Sequence, residues 1–300
     1  METTYSSFIK GHNFKIFICM AILTFILGTL GTALSYFFHW GLTGTGAFLL
    51  LSAVINFCAY FFSHRLVVKM SGARLLKREQ APELFAMIDK LCGKSNLPVP
   101  QLYLINNDSM NAFATGRDKK HSVVAVTRGL LEKLSPDEVE GVVAHELTHI
   151  DNGDMRLMTI ITMVAGFISI LADMYWYSMR VSNADNKDRS GALAIAGFVL
   201  ALLAPISAMF IQLAISRRRE FIADAGSAQR THKPGALASA LDKIRRDLRP
   251  LPSAGVTTAH LYFSNPSQST DLLERLFSTH PPVEERIRNL ETMKGAGYGR

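Results

Sequence analysis

Four long apolar segments constrain this chain more than any other feature of its sequence. They run from Ile16 to Phe38, Thr45 to Phe62, Leu157 to Met179 and Ala192 to Ile215. Each approaches or exceeds the roughly 20 residues that carry a helix across about 30 Å of hydrocarbon. Composition points the same way: 48% of residues are hydrophobic and 19% charged, against about 25% charged in an ordinary soluble domain. The chain reads as a membrane protein with four candidate spans.

The first two segments read as a hairpin. The first is too long for the roughly 7–15-residue core of a signal peptide, and the second follows almost at once. Between them, His39 to Gly44 has no Lys or Arg, whereas Lys10 and Lys15 precede the pair and Arg65, Lys69, Arg74, Lys77 and Arg78 follow it. Positive flanks stay inside, so the N-terminus and the domain that follows are expected on the cytoplasmic side. The third segment contains Asp173 and ends in the aromatic cluster Met174 to Tyr177. A polar loop, Arg180 to Ser190, leads to the fourth, which is followed by Arg217, Arg218 and Arg219. A second hairpin pointing the same way fits; a pair of buried core helices is the alternative.

The net charge of +7 is placed at the ends of apolar segments. That suits anionic lipid headgroups. No nucleic-acid motif is present, and no nucleic-acid partner is expected. Cys19, Cys58 and Cys92 form no CxxC or disulfide framework, so they read as small buried hydrophobes.

Between the hairpins lies an α/β stretch. Leu84, Phe85, Ile88 and Leu91 share one face of a helix predicted over Ala81 to Cys92. Gln101 to Ile105, Asn111 to Thr115 and Ser122 to Val126 read as short strands. Ser135-Pro136-Asp137-Glu138 is a capping box with proline at the first helical position, so a helix starts there. After Arg217, helices are predicted near Glu220 to Ala228, Gly235 to Leu248, Ser267 to Phe277 and Pro282 to Met293, with a disordered tail. The fold class is α+β and mainly helical, with a small sheet. The division is 1–63 as the first hairpin, 64–156 as the first part of the domain outside the apolar segments, 157–215 as the second hairpin and 216–300 as the second part of that domain.

The predicted helix carries His145-Glu146-Leu147-Thr148-His149. Residues i and i+4 share a helical face, so both imidazoles can reach one zinc ion. Glu146 lies about 100° round the helix, beside such an ion, where it can polarise a bound water. With nine histidines in the chain, chance supplies such a motif in roughly one chain per hundred. The alternative is a pair of histidines on a solvated face.

Catalytic zinc usually takes three protein ligands. The best further candidate is Glu220, with Asp224 on the same face four residues on. Glu220 ligates the metal, or it pairs with the preceding arginines; the spacing leaves both open. Asp224 can hold the N–H of a ligand imidazole. Asp154 orients a ligand or caps the helix turn, and a solvated surface role fits as well.

These residues resemble the HtpX-type membrane zinc metalloproteases, relatives of the CAAX prenyl proteases. The resemblance rests on Asn111 to Gly116 (NAFATG), His145 to Asp154 (HELTHIDNGD), Ser216 to Ala225 (SRRREFIADA) and Ser278 to Pro282 (STHPP). It covers most of the chain, and only Phe221, where relatives often have tyrosine, departs from the pattern. It implies a zincin-like domain holding one Zn2+, with Glu220 as third ligand and Glu146 as catalytic base. It also implies that Asn111, Ala112, Phe113, Ala114, Thr115 and Gly116 form an active-site edge strand, to which an extended substrate adds. His280 is implied to lie near the metal, capping it or steadying the oxyanion, with Arg286 beside it; a helix-entry turn made by Pro281 and Pro282 is the alternative.

The function these expectations describe is a zinc endopeptidase of the bacterial inner membrane. It would cut misfolded membrane proteins at the cytoplasmic face, in quality control and stress response. An intramembrane protease is disfavoured by the polar stretch Ser135 to Glu140 before the motif. A CAAX prenyl endopeptidase is disfavoured by too few spans, and an inactive metal-binding scaffold by the intact Glu146.

Overall fold

The computed structural model describes residues 39–161, 217–247, 262–263 and 281–295, with residue 197 and most positions between 14 and 36. Most of the third and fourth apolar segments, the predicted helix Ser267 to Phe277 and the tail lie outside the described residues. The chain divides into two compact units: Met1–Ser63 with Ile160–Leu213, and His64–Thr159 with Ala214–Arg300.

In the first unit, helix α1 (Gly41–Met70) begins; its last turns, from His64, belong to the second. Its most apolar 18-residue stretch has a mean hydropathy of 1.8, and the whole helix extends about 45 Å at 1.5 Å per residue. Among the described residues it is the one helix long and apolar enough to cross a membrane; a shorter apolar helix covers Ile16–Thr29. Large apolar side chains face outward along both, among them Phe17, Phe25, Leu50, Val54 and Phe57. Contiguous exposed apolar surface of this kind marks a membrane or protein contact. Cys58 is exposed on this helix rather than buried, and only Cys92 fits the small-hydrophobe expectation among the described residues.

The second unit joins a mixed sheet to a helical core. Its strands are β1 (Arg74–Leu75), β2 (Gln101–Ile105), β3 (Ala112–Gly116) and β4 (Ser122–Thr127), in the order β1-β2-β4-β3. β2 and β4 are parallel, and β3 pairs antiparallel with β4, with Ala112 opposite Val126 and Gly116 opposite Ser122. β3 is therefore an edge. Strand alternation sends Leu102, Ala112, Ala114, Val124 and Val126 into the helical core. Ile105, Phe113 and Ala125 face the other way, against Val67 and Tyr262.

The helices of this unit are α2 (Pro82–Gly93), α3 (Arg128–Lys133), α4 (Pro136–Asn152), α5 (Arg217–Thr231), α6 (Pro234–Arg246) and α7 (Val283–Gly295). α4 starts at the predicted box: Ser135 Oγ accepts from the Glu138 amide and Glu138 reaches back to the Ser135 amide at 2.7 Å. It is buried from Glu138 to Ile150. Small residues let α5 lie close against it. Ser227 Oγ donates to the Gly141 carbonyl at 2.7 Å, and Gly226 faces Thr148 so closely that a Cβ there would come within 2.4 Å of its methyl. α4 ends at Gly153, whose left-handed φ of 74° suits glycine at this cap.

Candidate metal centre

Charged side chains are seldom fully buried without partners, yet the middle of α4 buries His145, Glu146 and His149. Their partners come from across the chain. Nε2 of His145 lies 3.1 Å from Nε2 of His149. Glu220, on the inward face of α5, places Oε2 at 3.7 Å from the first and Oε1 at 3.5 Å from the second. Among the described residues these three form the one His/Cys/Asp/Glu group able to hold an ion.

Both imidazoles are oriented from behind. Nδ1 of His145 sits 2.9 Å from Asp224 Oδ1, and Nδ1 of His149 sits 3.1 Å from Asp154 Oδ2. A carboxylate can only accept, so each Nδ1 carries the proton and each Nε2 turns a lone pair to the centre. Two lone pairs and a carboxylate converging in a buried space call for a cation. Asp154 reaches its place because the left-handed Gly153 turns the chain back beneath His149. Asp224 is held in turn by Arg286 of α7, with Nε and Nη2 donating to its two oxygens at 2.9 and 2.6 Å. The same guanidinium lies 3.5 Å from Glu220 Oε2.

The charges also fit a divalent ion. Glu146, Asp154, Glu220 and Asp224 are buried together with only Arg219 and Arg286 as permanent cations, leaving two negative charges. The spacing fits zinc: bonds of about 2.0–2.1 Å in a tetrahedron set ligand atoms about 3.3 Å apart, against 3.1, 3.5 and 3.7 Å here. Burial pushes the His145 pKa down to about 4, with Arg286 adding to it and Asp224 opposing. Burial works the same way on His149, but the bond to Asp154 and the charge of Glu220 outweigh it and raise that pKa to about 9, so a bound cation would take the place of the Nε2 proton. Asp224 stays below the ordinary carboxylate range: burial would raise it, and Arg286 overrides that. The charge of Glu146 acts on both His149 and Arg286, which sets it at the same centre.

The structure thus brings together His145, Glu146, His149, Glu220, Asp224, Asp154 and Arg286. His280 lies outside the described residues. Asn111 precedes the edge strand, its amide and carbonyl turned to Thr127. Asp151 bonds Lys119 and Arg230, each at 2.6 Å, away from the histidines.

Three residues at the centre carry no signal in the sequence. Arg219, within the triplet expected at lipid headgroups, is buried with Nη1 3.9 Å from Asp154, while Arg217 and Arg218 are exposed. The 100° helical step turns it inward beside Glu220. Phe263 sets its ring edge-on to His145, 4.9 Å between centroids, and Tyr262 packs on Phe113 at 5.1 Å.

The profile of Peptidase family M48 matches residues 78–294. Among curated proteins, a "Protease HtpX homolog" of Thermococcus kodakarensis is 45% identical over 277 residues, 91% of this chain and 93% of the relative. One from Dictyoglomus turgidum is 40% identical over 97% of this chain and 95% of its own length. One from Tropheryma whipplei is 40% identical over 96% and 98%. The crystal structure of S. mikatae Ste24p aligns with 95% of this chain and 67% of its own, with a TM-score of 0.50 at 18% identity, a likeness of fold. Matches of this extent, around two histidines and a glutamate that converge on one point, make the chain a member of peptidase family M48, a metallopeptidase.

Proposed function

We propose that the chain is a zinc endopeptidase that cuts proteins at the cytoplasmic face of the membrane holding it. The observation that carries this is the triangle of His145, His149 and Glu220, whose donor spacing and charge fit one zinc ion. When bound, zinc would activate a water and polarise the scissile carbonyl.

The chain's own residues do the rest. His145 and His149 present neutral Nε2 atoms because Asp224 and Asp154 hold their Nδ1 protons. Glu146 takes a proton from the attacking water and returns it to the leaving amine. Arg286 holds Asp224 in place and offsets its charge. The edge strand Ala112–Gly116, with Asn111 at its head, binds an extended peptide by strand addition. His280 remains a candidate to steady the oxyanion.

The membrane reading rests on α1, on the outward-facing apolar side chains and on the positive flanks of the apolar segments. The third of those segments begins eight residues after His149 and the fourth ends five before Glu220. Four spans in two hairpins, with lipid contacts and substrates drawn from misfolded membrane proteins in an inner membrane, are the fuller form of the proposal.

Metal analysis of the purified protein tests it beside Glu220→Ala and Glu146→Gln. One zinc per chain is expected in the parent and in Glu146→Gln, and less than about a tenth of that in Glu220→Ala, with peptide hydrolysis abolished in both variants. Full zinc in Glu220→Ala removes the third ligand; unimpaired turnover by Glu146→Gln removes the base.

A further inference from the structure

Tyr262 and Phe263 sit where the edge strand meets the metal centre. The Phe263 N–H donates to the Ala112 carbonyl at 2.8 Å. Its ring meets the His145 ring at 88°, and the guanidinium carbon of Arg286 stands 5.0 Å from its centroid. Tyr262 packs edge-on against Phe113 at 76°. Both side chains are buried, at 1% and 2% exposure.

Strand alternation shows what this amide occupies. The Thr127 amide donates to the Asn111 carbonyl, so residue 111 turns its backbone groups toward β4. Antiparallel pairing repeats every two residues, so 113 and 115 do the same. Ala112, Ala114 and Gly116 turn theirs outward, and these are the groups an added strand would use. At Ala112 the carbonyl is already taken by Phe263, and the amide donates to Asn111 Oδ1 at 3.0 Å. One residue therefore makes the backbone contact expected of a bound peptide residue, its N–H lying on the edge strand, while its side chain packs in the helical core against the His145 ring.

We propose that Phe263 is an internal occupant of the substrate position and is displaced when a peptide binds. The proposal rests on the edge-strand reading of the preceding section. Phe263 holds the edge at one backbone acceptor, whereas a peptide can make that bond and continue along Ala114 and Gly116. The displacing residue replaces the Phe263 ring beside His145, so the favoured substrate is an extended segment with a large apolar side chain next to the cleaved bond. Apparent affinity is reduced by the fraction of molecules in which the position is free.

Hydrogen exchange on the full-length Glu146→Gln protein, loaded with zinc in detergent and saturated with β-casein, decides the matter. Faster exchange at the Phe263 amide, together with slower exchange at Ala114 and Gly116, is the expected result. Protection gained at Ala114 and Gly116 with Phe263 unchanged would make Phe263 a fixed wall, overturning the proposal and leaving the edge-strand reading intact. Bound casein with no protection at Ala114 or Gly116 would remove that reading and the proposal with it. In the active protein, Phe263→Ala should lower KM roughly tenfold, with zinc content measured alongside because the Phe263 ring packs on His145. A raised KM at full zinc content overturns the displacement.

Discussion

Arg286 grips both oxygens of Asp224, at 2.9 and 2.6 Å, and the same carboxylate accepts the Nδ1 proton of His145 at 2.9 Å. A chain of three side chains from α7, α5 and α4 thus ends at the imidazole whose Nε2 faces the candidate metal centre. Partners of this kind typically change metal affinity by about 10–100-fold. Asp224→Asn should lower zinc affinity by that factor and leave the fold intact, read by competition with a chelator. Arg286→Met leaves Asp224 buried without its cation and should cost about 3–5 kcal/mol of stability. Equal zinc affinity in Asp224→Asn and the parent would remove Asp224 from the site.

Gly226 sets the distance between the helices that carry His145, His149 and Glu220. A Cβ there would come within 2.4 Å of the Thr148 methyl and 2.7 Å of its hydroxyl. Thr148 is itself tied to the Ala144 carbonyl at 2.8 Å. Gly226→Ala should therefore push α5 away from α4 and carry Glu220 off the histidines, and overpacking of this kind costs about 1–3 kcal/mol. Zinc content should fall with it. A variant with full zinc and parental stability would show that the contact relaxes without moving Glu220.

The box at the start of α4 carries a pH dependence. Glu138 is buried, which would raise its pKa, but the bonds from Lys243, Ser239 and the Ser135 amide hold it below the usual value. A lowered folded pKa gives stability that is present above the unfolded pKa and is lost as pH falls through the folded one. Glu138→Gln should cost about 1–2 kcal/mol at pH 7, a discounted value because Lys243 is half exposed. The gap between the denaturant midpoints of variant and parent should begin to close as pH falls past the unfolded value of about 4.3. A gap that stays constant to pH 3 would refute the charged bond.

Cys92 should behave in the opposite direction. Burial pushes its thiol up to about 11, against a slight lowering by Arg230. A raised folded pKa gives stability fully present below the unfolded pKa of about 9 and lost as pH rises through 11. In a protein whose other cysteines are replaced by alanine, Cys92 should resist a thiol reagent at pH 8 until the second unit unfolds. Prompt labelling of the folded protein would contradict its burial.

The sequence alone determined what depends on local geometry. Four residues make a helical turn and bring His145 over His149. Ser135, Pro136 and Glu138 start the helix that does so, and short β-branched and apolar runs bounded by turns mark β2 and β4. The length and apolarity of Thr45 to Phe62 mark α1. Which carboxylate serves which imidazole was decided only by tertiary packing: Asp224 holds His145 and Asp154 holds His149, though both follow a ligand closely in sequence. So too were the inward turn of Arg219 and the arrival of Phe263 at Ala112. Helical and strand periodicity act over a few bonds and are written in neighbouring residues. Pairing between distant elements depends on small residues such as Gly226 and Ser227 allowing close approach, and no local pattern records which element approaches.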